Sequence, residues 1–278
     1  MAQEIIMLKE YEHRYAKEER DLLRRLDKLF VEWQRQWDGD TRWFVWDGFY
    51  PGYLNASKKI LFLGRDSYDI YNVYDSPIPH CSYILDFIPR YQNGCMDDGK
   101  SINQVKFHKL LLQVAYGLLH KSFPIEWQDV LDAKSICDTG RIFNEVSFSF
   151  MNLGKLSHES CEPCGVNADW GKIDLSVNFS TRGRNFIKEE VELLDPDLII
   201  AMNLNENPLG RDYYKAAFGS NIVKLNLDIK DCCLYDVTLS DAKHVPLLDC
   251  WHFSSRKNEE SYIYRPIVDV LHAIDFYK

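Results

Sequence analysis

Three things are scarce in this chain of 278 residues. The first is apolar length. No stretch approaches the ~20 consecutive apolar residues of a membrane-spanning helix, so a membrane partner is not expected. The second is positive charge. Thirty-three Lys and Arg face 42 Asp and Glu, a formal net charge of −9. That sign disfavours gripping long duplexes through counterion release and leaves room only for a local basic groove. The third is paired metal ligands. Cys161-Glu-Pro-Cys164 is a lone CxxC, with no second CxxC or HxxxH at a suitable distance. It therefore does not complete a zinc site, and without a strand leading into it a thioredoxin-like role is not expected either. Neither a metal nor another cofactor is expected. Repeats and low-complexity segments are missing too. The opening residues, MAQEIIMLKEYEHRY, are charged where a secretory leader would be apolar. A cytoplasmic location is the expectation, with most of the eight cysteines as reduced core thiols.

What is present suits a globular chain: 46% hydrophobic, 27% charged and 14% aromatic residues. The length accommodates two domains or one α/β domain with extensions. The pattern favours an N-terminal helical extension over residues 1–44, packed on an α/β domain over 45–278. Leu22, Leu23, Leu26, Leu29, Phe30, Trp33 and Trp37 recur at three- and four-residue spacing, which predicts one long helix over 8–38. Residues 39–57 read as loop. Lys59-Ile-Leu-Phe-Leu63 reads as a buried strand ending at Gly64, and 65–100 as a long irregular stretch rich in tyrosine.

Further on, a helix is expected over 104–119 and a strand over 143–153. A polar insertion over 155–179 and a helix over 183–194 follow. Strands are expected over 198–202, 221–227 and 245–248, with a closing helix over 259–277. Alternating strands and helices imply an α/β fold, a three-layer α/β/α arrangement around a central, mainly parallel sheet of four to five strands. In such folds ligands bind beyond the carboxyl ends of the strands. Three strands empty there into chemically capable sequences: Gly64-Arg65-Asp66-Ser67-Tyr68, Asn152-Leu153-Gly154-Lys155 and His252-Phe253-Ser254-Ser255.

Taken in order, these three motifs resemble the uracil-DNA glycosylase superfamily. That family carries Gly-Gln-Asp-Pro-Tyr after one strand, a base-reading Asn at the end of a second, and His-Pro-Ser after a late strand. The resemblance spans about residues 45–272 and includes the connection Leu194-Asp-Pro-Asp-Leu-Ile-Ile200. It implies a fold of that type and a hydrolase that releases a base from DNA through a base-flipping pocket. Asp66 takes the place of the carboxylate that stabilises the sugar cation and orients water, and His252 that of the donor to the departing base. Asn152 takes the base-reading place and Tyr68 that of the pocket wall, with Arg65 beside them. Ser67, Ser254, Ser255 and Arg256 fall where nucleic-acid contacts belong. The implied partner is DNA or a nucleotide-like ligand, met by a monomer.

The chain departs from the family pattern at Arg65, Ser67 and Phe253. Those departures support an alternative: a module that keeps the fold and binds a nucleotide, nucleic acid or protein without turnover. The residues also have plainer readings. Asp66 could cap a turn, Asn152 could be a turn residue, and His252 could be a satisfied core histidine. The run Arg182-Gly-Arg184-Asn-Phe-Ile-Lys188 could hold a phosphate at a helix start or could be a solvated helix start.

Overall fold

The computed structural model describes residues 12–37, 44–68, 81–158 and 168–278. Among these residues it is an α/β structure with eight α-helices. They are α1 (Lys17–Gln36), α2 (Tyr83–Asn93), α3 (Lys106–Leu119), α4 (Ala133–Asp138), α5 (Trp170–Thr181), α6 (Phe186–Leu194), α7 (Tyr213–Phe218) and α8 (Arg265–Ala273). The strands are β1 (Val45–Trp46), β2 (Gly48–Phe49), β3 (Ile60–Tyr68), β4 (Cys81–Ser82), β5 (Ser149–His158), β6 (Leu198–Met202), β7 (Ile222–Leu225), β8 (Cys232–Thr238) and β9 (His244–Cys250).

Seven strands form one mixed sheet in the order β2-β5-β3-β6-β9-β8-β7. Its centre, β5-β3-β6-β9, is parallel; β2 joins one side antiparallel, and β8 and β7 join the other antiparallel. Central parallel strands need cover on both faces, which explains their unbroken apolar runs. Ile60 to Leu63 and all of β6 are buried. Strand β7 is the exception at the rim: Val223 and Leu225 stand exposed on either side of Lys224.

The four- to five-stranded sheet expected from the sequence is corrected to seven mixed strands. The two unanticipated members, β2 and β8, carry no long apolar run. One is two residues long, and the other alternates buried with half-buried positions as a strand near a sheet edge does. Helix α1 starts at Lys17, not residue 8, because Ala16 is extended and its amide is taken by the Glu19 side chain at 3.0 Å. Strand β3 continues through Gly64 to Tyr68, since Asp66 still pairs with Gly154 on β5. Strand β5 starts later than expected: Phe143 has a left-handed φ of 65° and closes a turn onto Val146. The expected irregular stretch contains α2, capped by Ser82 and ended by Gly94. The expected polar insertion opens on a strand and closes on α5, capped by Asp169. The CxxC at 161–164 and most of the 70–100 loop's first half, 70–80, lie outside the described residues.

Helix α1 turns its apolar stripe inward. Trp33 is fully buried, stacks on Phe186 of α6 at 5.2 Å and donates its indole N–H to Ser180 Oγ of α5 at 3.1 Å. Beneath it lies an ion triad with no exposed side chain. Lys155 Nζ of β5 donates to Asp47 Oδ2, between β1 and β2, and to Glu190 Oε2 of α6 at 2.7 Å. The sequence reading placed Lys155 in a polar loop segment; the structure places it in the core, over the rings of Trp33 and Phe30. Burial works against its charge, but the two carboxylates hold its pKa above the ordinary lysine value. Burial raises Asp47 and lifts Glu190 to about 7, with Lys155 opposing both shifts.

Removing the lysine leaves two carboxylates stranded in the core. Lys155→Met is expected to cost about 3–5 kcal/mol in urea denaturation. Glu190 adds a pH signature. The unfolded chain loses this proton near the ordinary value of 4.5, whereas the folded chain keeps it to about 7. The contribution of Glu190 to stability is therefore fullest below about pH 4.5 and shrinks as pH rises to about 7. The stability of the native chain minus that of Glu190→Gln, followed by denaturation across that window, should fall with rising pH.

Candidate functional site

The motif residues lie at the carboxyl side of the parallel strands, and register decides their neighbours. Gly64 of β3 faces Asn152 of β5, and Asp66 faces Gly154. Each pair needs its glycine for space. A Cβ on Gly64 would lie 2.2 Å from Asn152 Oδ1, and one on Gly154 would lie 3.0 Å from the backbone oxygen of Arg65. The side-chain oxygen of Asn152 therefore lies close against the backbone of β3 at Gly64. Its Nδ2 donates to Ser67 Oγ at 2.9 Å, and its backbone N–H donates to Asp47 Oδ2 at 2.9 Å. Asn152 is buried in mid-strand, not at a strand end as the sequence suggested.

Asp66 and Arg65 occupy the next positions. Asp66 Oδ2 accepts the backbone N–H of Asp169 at 3.0 Å, the residue that caps α5. Arg65 donates to the carbonyl of Asn203, just past β6, at 3.1 Å, and its guanidinium sits 5.0 Å from the Trp170 ring. Burial pulls its pKa down, while Asp66 and Asp249 oppose that. Asp249, inside β9, accepts N–H bonds from Asn205 at 3.0 Å and Leu204 at 3.2 Å. Burial still raises its pKa to about 6. Arg65 thus spans from β3 across β6 toward β9.

His252 follows β9. Its half-buried ring stacks on Phe107 of α3 at 5.5 Å. Nδ1 accepts the Ser254 N–H at 3.2 Å and lies 2.7 Å from Ser254 Oγ. Burial, helped by the charge of Arg65, pushes the ring pKa down to about 3. The imidazole is then neutral at physiological pH. With Nδ1 accepting, its proton sits on Nε2, which makes Nε2–H a donor. Lys106 Nζ fixes the turn beyond it, donating to the carbonyls of Ser255 at 2.6 Å and Lys257 at 2.7 Å. Ser254 and Arg256 are exposed, while Ser255 is half-buried.

Arg65, Asp66, Ser67 and Asn152 are neighbours on two adjacent strands, and His252 joins them through the field of Arg65. The side chain of Tyr68 lies outside the described residues. The basic run at 182–188 is largely occupied: Arg184 pairs with Glu189 at 2.7 Å and Glu32 at 2.5 Å, and Lys188 with Glu192 at 2.5 Å. Among the described residues no group of three or more His, Cys, Asp or Glu side chains converges to hold a metal. Sequence reasoning missed Asp249, Trp170, Phe107 and Asp47. For Asp249 a signal existed, a carboxylate inside the apolar run Val245-Pro-Leu-Leu-Asp-Cys250.

The electrostatic link between strands can be read directly. In Arg65→Met the cationic neighbour of His252 is gone, so the imidazole pKa should rise above about 3, while burial, the larger cause, still holds it below its ordinary 6.5. Nitrogen-15 NMR of the histidine side chains across pH 2 to 8, about the range over which such rings titrate, measures this and the Nε2–H tautomer together.

No family model, curated protein or solved structure matches this chain.

Proposed function

We propose that the chain is an N-glycosidic hydrolase of uracil-DNA glycosylase-like fold, acting on a base in DNA or a related nucleotide. The observation that supports this reading is topological: Asp66 on β3 and His252, just after β9, stand toward the carboxyl ends of parallel strands of one sheet, one a carboxylate and the other a neutral imidazole donor. Cleaving a glycosidic bond needs both. The C1′–N bond breaks with its electron pair leaving on the base, and the sugar becomes cationic. Asp66 stabilises that cation and orients the water whose oxygen bonds to C1′, and the water's proton passes to the carboxylate. The Nε2–H of His252 donates to the carbonyl oxygen on which the base's charge collects. Asn152 selects the base, exchanging its bond to Ser67 for one to the base edge. The turn at 254–256, held by Lys106, offers Ser254 and Arg256 to phosphate. The protein works as a monomer in the cytoplasm.

A second reading has its own observation. Asn152 is 3% exposed and its Nδ2 already has a partner in Ser67. A module that binds a nucleotide without turnover would keep that arrangement.

Purified chain, incubated with uracil-, hypoxanthine- and alkyl-base-containing single- and double-stranded DNA, should release free base. Asp66→Asn and His252→Ala should each lower the rate by at least about 100-fold with circular dichroism unchanged. Intact DNA in every reaction rules out the hydrolase for those bases. Nucleotide-induced thermal stabilisation without product then selects the binding module.

A further inference from the structure

A separate cavity of about 30 Å3 lies between α1 and the β1–β2 segment. Its polar walls include two carboxylates, Asp27 of α1 and Asp47, and its other walls include the rings of Tyr15, Phe30, Trp46 and Phe49. One oxygen of Asp47 is fully spoken for: Oδ2 accepts from Lys155 Nζ and from the Asn152 amide. The other, Oδ1, is buried without a hydrogen-bond partner. A buried carboxylate oxygen is costly unless a donor reaches it.

Charge points the same way. Lys155 is shared between Asp47 and Glu190, and Asp27 adds a further carboxylate to the cavity wall that Asp47 lines. Glu19, the other buried acid nearby, has its oxygens on the backbone amides of Ala16 and Leu54. Glu12 adds a further negative neighbour to Asp27 but is itself paired with Arg24. Burial raises the pKa of Asp27 to about 7, the behaviour of an acid without a cation to hold it. The aromatic walls also suit positive charge. Phe30 and Trp46 stack at 5.3 Å, and Lys155 Nζ already sits 5.5 Å from the Phe30 centroid. We propose that this cavity is a binding site for a small primary ammonium group. Its N–H donors reach Asp47 Oδ1 and Asp27, and its short carbon stem lies against the rings. Two carboxylates are too few to strip a divalent metal of its water, whereas an ammonium needs only acceptors and aromatic faces. The volume limits the guest to about the size of methylammonium. The proposal does not rest on the hydrolase reading.

The test uses the full chain and methylammonium chloride, with tetramethylammonium chloride and sodium chloride as controls at matched ionic strength. The expected result is a saturable rise in thermal midpoint with methylammonium alone, and nuclear Overhauser contacts from its methyl group to the Trp46 and Phe30 rings. Asp27→Asn should weaken the apparent affinity at least about tenfold, while Asp21→Asn, on the same helix and paired at the surface with Arg24, should leave it unchanged. Equal responses to all three salts, no saturation, or no ring contacts in the unmutated chain would overturn the proposal, whatever the fate of the variants.

Discussion

The arrangement at the centre of this molecule hangs on one buried cation. Lys155 holds together three pieces of chain that are distant in sequence: Asp47 before β2, its own strand β5, and Glu190 on α6. The desolvation of three charged groups offsets much of their attraction, so the triad is weak evidence for high stability. What it does fix is geometry. Asp47 Oδ2 serves two donors, the ammonium and the Asn152 amide, so the same carboxylate that meets the lysine also sets the height of β5 against β1–β2. The position of Asn152 is inherited from the core beneath it.

The candidate site repeats that pattern with a different cation. Arg65 leaves β3, bonds the carbonyl past β6 and lies in the field of Asp249 on β9. One guanidinium thus relates three adjacent strands, and its charge helps keep His252 neutral. A positive side chain where the resembled motif has Gln changes the electrostatics of the whole edge. It stabilises anions there and disfavours a protonated imidazole.

Periodicity made the long elements legible. The stripe from Leu22 to Trp33 is the buried face of α1, and Leu198 to Met202 is a strand with the expected limits. Both rest on burial of many apolar residues, which a sequence displays openly. What stayed hidden depends on contacts far along the chain. Nothing local marks Lys155 as buried, because its partners lie 108 and 35 residues away. Strand β8 mixes Cys, Tyr and Asp and acquires its identity from pairing with β9. At the site, the sequence order gives each motif its strand, but Arg65, Asp66 and Asn152 lie inside β3 and β5, and only His252 follows its strand. The bond from Asn152 to Ser67 and the reach of Arg65 to Asn203 could not be read, since both depend on register.

Register also couples two positions 88 residues apart, as the numbering of Gly64 and Asn152 shows. The amide of Asn152 occupies the volume in which any side chain at 64 would begin. Neither residue is then free to drift alone. A lineage that acquires a side chain at 64 must first shrink or turn away the one at 152. In a set of diverged sequences these two columns should change together or stay fixed together, a mark of the close approach visible without any structure.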